Sequence, residues 1–171
     1  MSAAGYGRLR ALIVEDNPHM RALLKTLLHA LGVKQVHEAP EGEAGFKLLR
    51  EVNPDFILTD LSMKPMDGLD FTRQVRNSQD SPNQHIPIIM VTGHTERLHI
   101  MAARDAGVTE ILAKPITVQN LMLRIAEVVD KPRPFVRCEG YFGPNRRRRT
   151  MENYTGPWRR HDDAQKAVVA V

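Results

Sequence analysis

Apolar side chains recur along this chain with two periods, and the switching between them divides residues 9 to 129 into short strands and longer helices. Ala11-Leu-Ile-Val14 is an apolar run ending in acids, and Pro18 follows where a first helical turn tolerates it. Met20, Leu23, Leu24, Leu27, Leu28 and Leu31 then form one helical stripe, with Gly32 placed to cap its end. Gln35 to Ala39 predicts a second strand, and Ala44, Leu48 and Val52 mark a second helix that Asn53-Pro54 breaks. Phe56 to Thr59 predicts a third strand running into Asp60, and the loop Ser62 to Gly68 leads to a weakly patterned helix around Leu69 to Arg76. Pro87 to Val91 is the fourth strand. Thr92-Gly93-His94 and a helix through about Asp105 follow, closed by Gly107. Ile111 to Ala113 is the fifth strand, ended by Lys114-Pro115, and Thr117 is positioned to cap a last helix with Val118, Leu121, Met122, Ile125, Val128 and Val129 on one face.

Five strand-helix units with nearly continuous apolar strands predict an α/β fold, a doubly wound five-stranded parallel sheet buried on both sides. A sheet of this kind binds ligands outside the carboxyl ends of its strands. The length of 171 residues fits one core, so the expected organisation is an extension over 1–8, one domain over 9–130 and a tail over 131–171. No apolar run approaches the roughly 20 residues that span a bilayer. The first ten residues lack a secretory apolar stretch and Cys138 is a lone cysteine, so a cytoplasmic location is expected.

The net charge of +4 changes this picture only for the tail. Residues 1–130 carry 14 Lys and Arg against 16 acids, whereas 131–171 carry 10 against 4. Lys131-Pro-Arg-Pro134 reads as a linker, and the rest of the tail, poor in apolar periodicity, is expected to be disordered or only locally ordered. Within it, Tyr141 to Arg147 and Tyr154 to Arg160 share the pattern Tyr-x-Gly-Pro-x-Arg-Arg, which makes Arg146, Arg147, Arg159 and Arg160 candidates for an anion site.

The chemistry concentrates at the strand ends. Glu15 and Asp16 follow the first strand, Asp60 ends the third, Thr92 the fourth and Lys114 the fifth, so a parallel sheet brings all five to one edge. Crowded carboxylates repel unless a cation neutralises them. Hard oxygen ligands suit Mg²⁺, with Asp16 and Asp60 as direct ligands, the backbone carbonyl of Ser62 as a third and Glu15 acting through water. Asp60 is then a carboxylate nucleophile toward phosphorus, Lys114 a cation for phosphoryl oxygens, and the Thr92 hydroxyl and Gly93 N–H are donors to them. Asp67-Gly68 reads as a turn feeding a helix.

Four segments in this order, Val14-Glu-Asp-Asn17, Asp60-Leu-Ser-Met-Lys-Pro-Met-Asp-Gly68, Val91-Thr-Gly93 and Ala113-Lys-Pro115, resemble those of the response-regulator receiver family over residues 9 to 129. The resemblance implies a flavodoxin-like fold and a phosphorylation switch of two-component signalling. It further implies that Asp60 accepts phosphate from a histidine kinase or histidine phosphotransfer protein, that Thr92 and Lys114 read its arrival, and that output is contact with a downstream protein rather than enzymatic turnover. The output face is expected on the fourth helix, fifth strand and fifth helix. Three positions depart from the family pattern: Lys64 stands where its proline usually lies, Ile111 replaces a common aromatic, and His94 lies where members tune phosphate lifetime. The basic tail is similar to those of chemotaxis-type regulators that bind cyclic di-GMP, so capture of a cyclic nucleotide or nucleic acid is the alternative reading. An aspartate-nucleophile phosphatase is a third, but its usual second Asp is replaced by Ser62.

Overall fold

The computed structural model describes residues 6–93 and 96–146. Its first ten elements are β1 (Arg10–Val14), α1 (Pro18–Ala30), β2 (Gln35–Ala39), α2 (Gly42–Val52), β3 (Phe56–Asp60), α3 (Gly68–Asn77), β4 (Ile88–Thr92), α4 (Arg97–Ala106), β5 (Glu110–Ala113) and α5 (Val118–Val129). All strand pairings in this sheet are parallel, in the order β2-β1-β3-β4-β5. The chain winds outward from β1 in both directions, so the crevice between β1 and β3 is the switch point where such sheets hold ligands.

Alternation along each strand divides the core. Ala11 and Ile13 of β1 join Leu24 and Leu28 of α1 and Leu121, Ile125 and Val128 of α5 on one face. Leu12 and Val14 turn to the other face, against Phe46 and Leu49 of α2 and Phe71 and Val75 of α3. Every residue of β3 and β4 is buried, as a central parallel strand requires. Tyr6 belongs to the first cluster, so packing begins ahead of the expected boundary at residue 9.

Caps fall where polar residues flank the apolar stripes. Asn17 Oδ1 accepts from the His19 and Met20 amides at 2.9 and 3.2 Å, and Thr117 Oγ1 accepts from the Asn120 amide at 3.1 Å. Gly107 closes α4 with a φ of +96°, a conformation that favours glycine.

Residues 131–146 show the local order that the expectation for the tail allowed. After the linker, β6 (Phe135–Cys138) and β7 (Tyr141–Pro144) pair antiparallel around Glu139-Gly140. Phe135, Val136 and Phe142 are buried, and His85 lies edge-on to both rings with centroids 4.9 and 5.0 Å away. Beneath them lies Arg76 of α3, fully buried, its guanidinium donating to the carbonyls of Gly107 at 3.0 Å and Gln84 at 2.8 Å and sitting 5.0 Å from the Phe135 ring. Burial pulls Arg76 down to about 9, which still leaves it charged at neutral pH. The hairpin thus forms a lid over a cation that ties α3 to the loops before β4 and β5.

Two carbonyls lose their donor if this cation is removed. Arg76→Leu is expected to cost about 2–4 kcal/mol by urea unfolding, whereas Arg73→Leu on the exposed side of the same helix stays within about 0.5 kcal/mol.

Candidate functional site

The strand register sets the site. Val14 lies level with Thr59, Asp60 with Val91, and Thr92 with Ala113, so Glu15, Asp60, Thr92 and Lys114 emerge within one step of each other at the carboxyl edge. The Lys114 amide donates to the Thr92 carbonyl at 2.8 Å, which extends the β4-β5 pairing to the residues that carry the side chains.

Asp60 is buried with both oxygens engaged. Lys114 Nζ lies 2.7 Å from Oδ1, and the Ser62 amide donates to Oδ2 at 2.7 Å. The Asp60 loop is closed by the Gly68 amide, which donates to the Leu61 carbonyl at 3.0 Å, and Asp67 Oδ1 caps α3 through the Asp70 amide at 2.8 Å. A Cβ on Gly68 would sit 2.1 Å from the Asp60 carbonyl oxygen, so only glycine lets α3 start this close to the acid. The Asp67-Gly68 pair feeds a helix, as expected, and also supports the position of Asp60. Lys64-Pro65, the departure in this loop, is a cis peptide, as is Lys114-Pro115.

Glu15 is the second acid under constraint. It is 2 % exposed; Oε1 accepts from the Asn17 amide at 3.1 Å, whereas Oε2 is buried without a hydrogen-bond partner, 3.9 Å from Lys114 Nζ. Burial first, and then the neighbouring charge of Asp60, push its carboxyl above the usual carboxylate range; the Asn17 amide and Lys114 pull the other way. Asp16 is exposed at the rim and adds to the repulsion on Glu15.

An orphaned acid oxygen beside a second buried carboxylate and a third at the rim is a donor set suited to a hard cation. Among the described residues, no group of three His, Cys, Asp or Glu side chains already stands at metal-holding spacing. Mg²⁺ needs only one or two carboxylates and completes its shell with water and phosphate oxygens.

The edge therefore brings together Glu15, Asp60, Ser62, Thr92 and Lys114 from separate elements, with Asp16 beside them. Thr92 is buried at the end of β4, and Gly93 has open space where a side chain would be. Ile111 is half-buried and packs with Leu61, Met90, Ala103 and Val108 under α4. His94 lies outside the described residues, as do Arg147, Arg159 and Arg160 of the expected anion site. Arg146 is described, and it is engaged internally: it pairs with Asp105 of α4 at 2.7 Å and covers the Tyr141 ring at 4.2 Å. The Tyr141 ring is thus covered by the chain's own guanidinium, and Arg146 spends its charge on Asp105.

One contributor carries no motif of its own. Arg21, one turn into α1, donates from Nη1 to the Glu15 carbonyl at 2.6 Å and lies 3.7 Å from Glu38 of β2. It holds the backbone of the acid pair in place. Its signal was only a charged residue interrupting the apolar stripe near Pro18.

Comparison with known proteins agrees with this geometry. The response regulator receiver domain family model matches residues 11–126. The chain is 37% identical over 123 residues to the chemotaxis protein CheY of Pseudomonas aeruginosa, covering 72% of this chain and 98% of the relative. It is 36% identical over 122 residues to CheY1 of Helicobacter pylori, covering 71% and 97%. Among solved structures, CheY4 of Vibrio cholerae superposes with a TM-score of 0.65 at 25% identity, over 71% of this chain and 98% of that one. The receiver domain of the histidine kinase CKI1 from Arabidopsis thaliana, solved with Mg²⁺ and BeF₃⁻, superposes at 0.63 with 26% identity, over 73% and 93%. With matching sequence over two-thirds of its length and the family's sheet order, the chain belongs to the response regulator receiver domains, the CheY-like phosphorylation switches of two-component signalling.

Proposed function

We propose that Asp60 is the phosphoryl acceptor of this switch, that Lys114 and Thr92 bind and read the phosphoryl group, and that Glu15, Asp16 and the Ser62 carbonyl join Asp60 around Mg²⁺. The observation that carries this reading is the shared Lys114 ammonium, 2.7 Å from Asp60 and 3.9 Å from the unpartnered oxygen of Glu15. In transfer from a phosphohistidine, an Asp60 oxygen forms the new P–O bond while the P–N bond breaks and the imidazole nitrogen leaves. The bound ion would supply neutralisation of the charge on the incoming phosphoryl oxygens. Lys114 then moves its ammonium from the carboxylate to a phosphoryl oxygen, and the Ser62 amide keeps the other Asp60 oxygen oriented.

Transfer and later hydrolysis are carried by these residues themselves, and the chain acts as a switch. Its partners are a histidine kinase or phosphotransfer protein upstream and a target protein downstream, in the cytoplasm. Movement of Thr92 toward the phosphoryl group alters the adjoining face of α4, β5 and α5, and a target with different affinity for the two arrangements is thereby controlled. Among the described residues, no helix is long and apolar enough to cross a membrane.

Full-length protein incubated with acetyl phosphate and Mg²⁺ is expected to gain the mass of one phosphoryl group by intact-mass spectrometry. No gain is expected for Asp60→Ala or in EDTA; a gain that persists in Asp60→Ala rejects the assignment.

Glu15 gives a second test through its sign. A native carboxyl raised above its unfolded value contributes stability below the usual carboxylate range, and that contribution is lost as pH rises through the native value. In EDTA at pH 7, Glu15→Gln should therefore stabilise the protein, by about 1 kcal/mol for relief of one unpaired buried oxygen. The advantage should shrink toward pH 4 in thermal melts, and the same variant should bind Mg²⁺ more weakly by calorimetry.

A further inference from the structure

α4 is the helix least anchored by its own side chains. Ala103 and Ala106 are all that it buries, whereas α3 buries Phe71 and Val75 and α5 buries Leu121, Ile125 and Val128. Glu96, at its start, makes no side-chain cap bond, and Leu98 and Met101 along its length are exposed. Two buried methyl groups supply only a fraction of what a face of leucine or phenylalanine supplies, so α4 is the easiest of these helices to displace. It is also the element that follows Thr92 in the chain.

The hairpin supplies the attachment that α4 lacks, and it does so at one end. Arg146 pairs with Asp105 in the last turn of the helix at 2.7 Å. Two residues on, backbone meets backbone: a Cβ on Gly143 of β7 would lie 2.9 Å from the Gly107 Cα, and a Cβ on Gly107 would lie 3.0 Å from the Phe142 carbonyl oxygen. Glycine on both sides of the crossing is what lets β7 lie this close to the end of α4. The other anchor is β5. Arg133 Nη2 lies 3.1 Å from the buried carboxylate of Glu110, Arg133 Nη1 donates to the Asn145 carbonyl at 3.3 Å, and the Asn145 amide donates to the Pro134 carbonyl at 2.8 Å. The segment is therefore closed on itself at its base and fixed to β5 there, while its far strand holds the end of α4.

Such a contact acts on a switch through a difference: it opposes any arrangement of α4 that it fits less well. The arrangement it fits has Lys114 Nζ on the Asp60 carboxylate itself, 2.7 Å away, the pairing that an arriving phosphoryl group takes apart. We propose that the β6-β7 hairpin is an autoinhibitory strap, which holds the C-terminal end of α4 through Asp105 and Gly107, favours the resting arrangement over the phosphorylated one, and is itself loosened when Asp60 is phosphorylated. The proposal rests on the reading of Asp60 as the phosphoryl acceptor. It gives this chain a restraint of its own, because the hairpin lies beyond the family match over residues 11–126.

The test uses full-length protein with Mg²⁺ and beryllofluoride as the phosphoryl stand-in. Gly143→Ala drives β7 off Gly107, and Asp105→Asn, a change at an exposed side chain, removes the ion pair alone. Both should keep cooperative melts. Hydrogen exchange of the α4 amides without beryllofluoride should quicken about tenfold in Gly143→Ala and about twofold in Asp105→Asn, where one exposed pair is lost. By calorimetry the dissociation constant for beryllofluoride should fall by similar factors, with Asp105→Glu close to wild type. In the wild type, beryllofluoride should in turn quicken exchange of the β6 and β7 amides. Unchanged α4 exchange in both variants, or a dissociation constant that is unchanged or raised, overturns the strap and leaves Asp60 as the acceptor. Absence of beryllofluoride binding in every form, with α4 exchange still quickened in Gly143→Ala, overturns the assignment of Asp60 and leaves the hold on α4 standing.

Discussion

Like charges forced together at one edge of a parallel sheet are the constraint around which this molecule is organised. Parallel pairing aligns the ends of β1 and β3, and with them Glu15 and Asp60, in a setting where each acid is almost fully shielded from water. A single ammonium on the end of β5 lies between them. The compensation is incomplete, because one Glu15 oxygen has no donor. The edge is therefore left with uncompensated negative charge, and the remainder of the fold has to be rigid enough to keep the acids together.

That rigidity comes from contacts that are local in space and distant in sequence. Gly68 lets α3 begin against the backbone of Asp60, and Arg21 on α1 fixes the carbonyl of Glu15. At the opposite end of α3, Arg76 is buried among backbone carbonyls and aromatic rings, with no carboxylate partner among the described residues. A cation in that position is tolerated because its donors are used by carbonyls that would otherwise lack partners, and because the hairpin excludes water from it.

The strands and helices of residues 10 to 129 were legible because each obeys a local rule. The α1 stripe from Met20 to Leu31 has helical period, β3 and β4 are unbroken apolar runs, and Thr117 caps α5 where its hydroxyl was expected. Asp60 and Lys114 were legible for a related reason: a strand-end residue in a parallel sheet has only one edge to go to. The hairpin was not legible. Its strands have four residues each, and Pro134, Pro144 and Arg137 interrupt any pattern that three buried side chains might make. Its stability comes from Arg76, His85 and Gly107, which lie far back in the chain, and no local window contains both halves of that contact. The internal partner of Arg146 was not legible for the same reason, since Asp105 lies 41 residues earlier. Composition reported the basicity of the tail correctly, but gave no indication that its first arginines are folded against the receiver.

The ion pair between Arg146 and Asp105 also fixes where the chain leaves the described fold. Residue 146 is thereby held beside α4 and not at a remote terminus. Residues 147–171 carry six Lys and Arg against three acids. The hairpin thus turns a charge distribution that composition alone would call a nonspecific tail into one with a fixed point of attachment beside a particular surface.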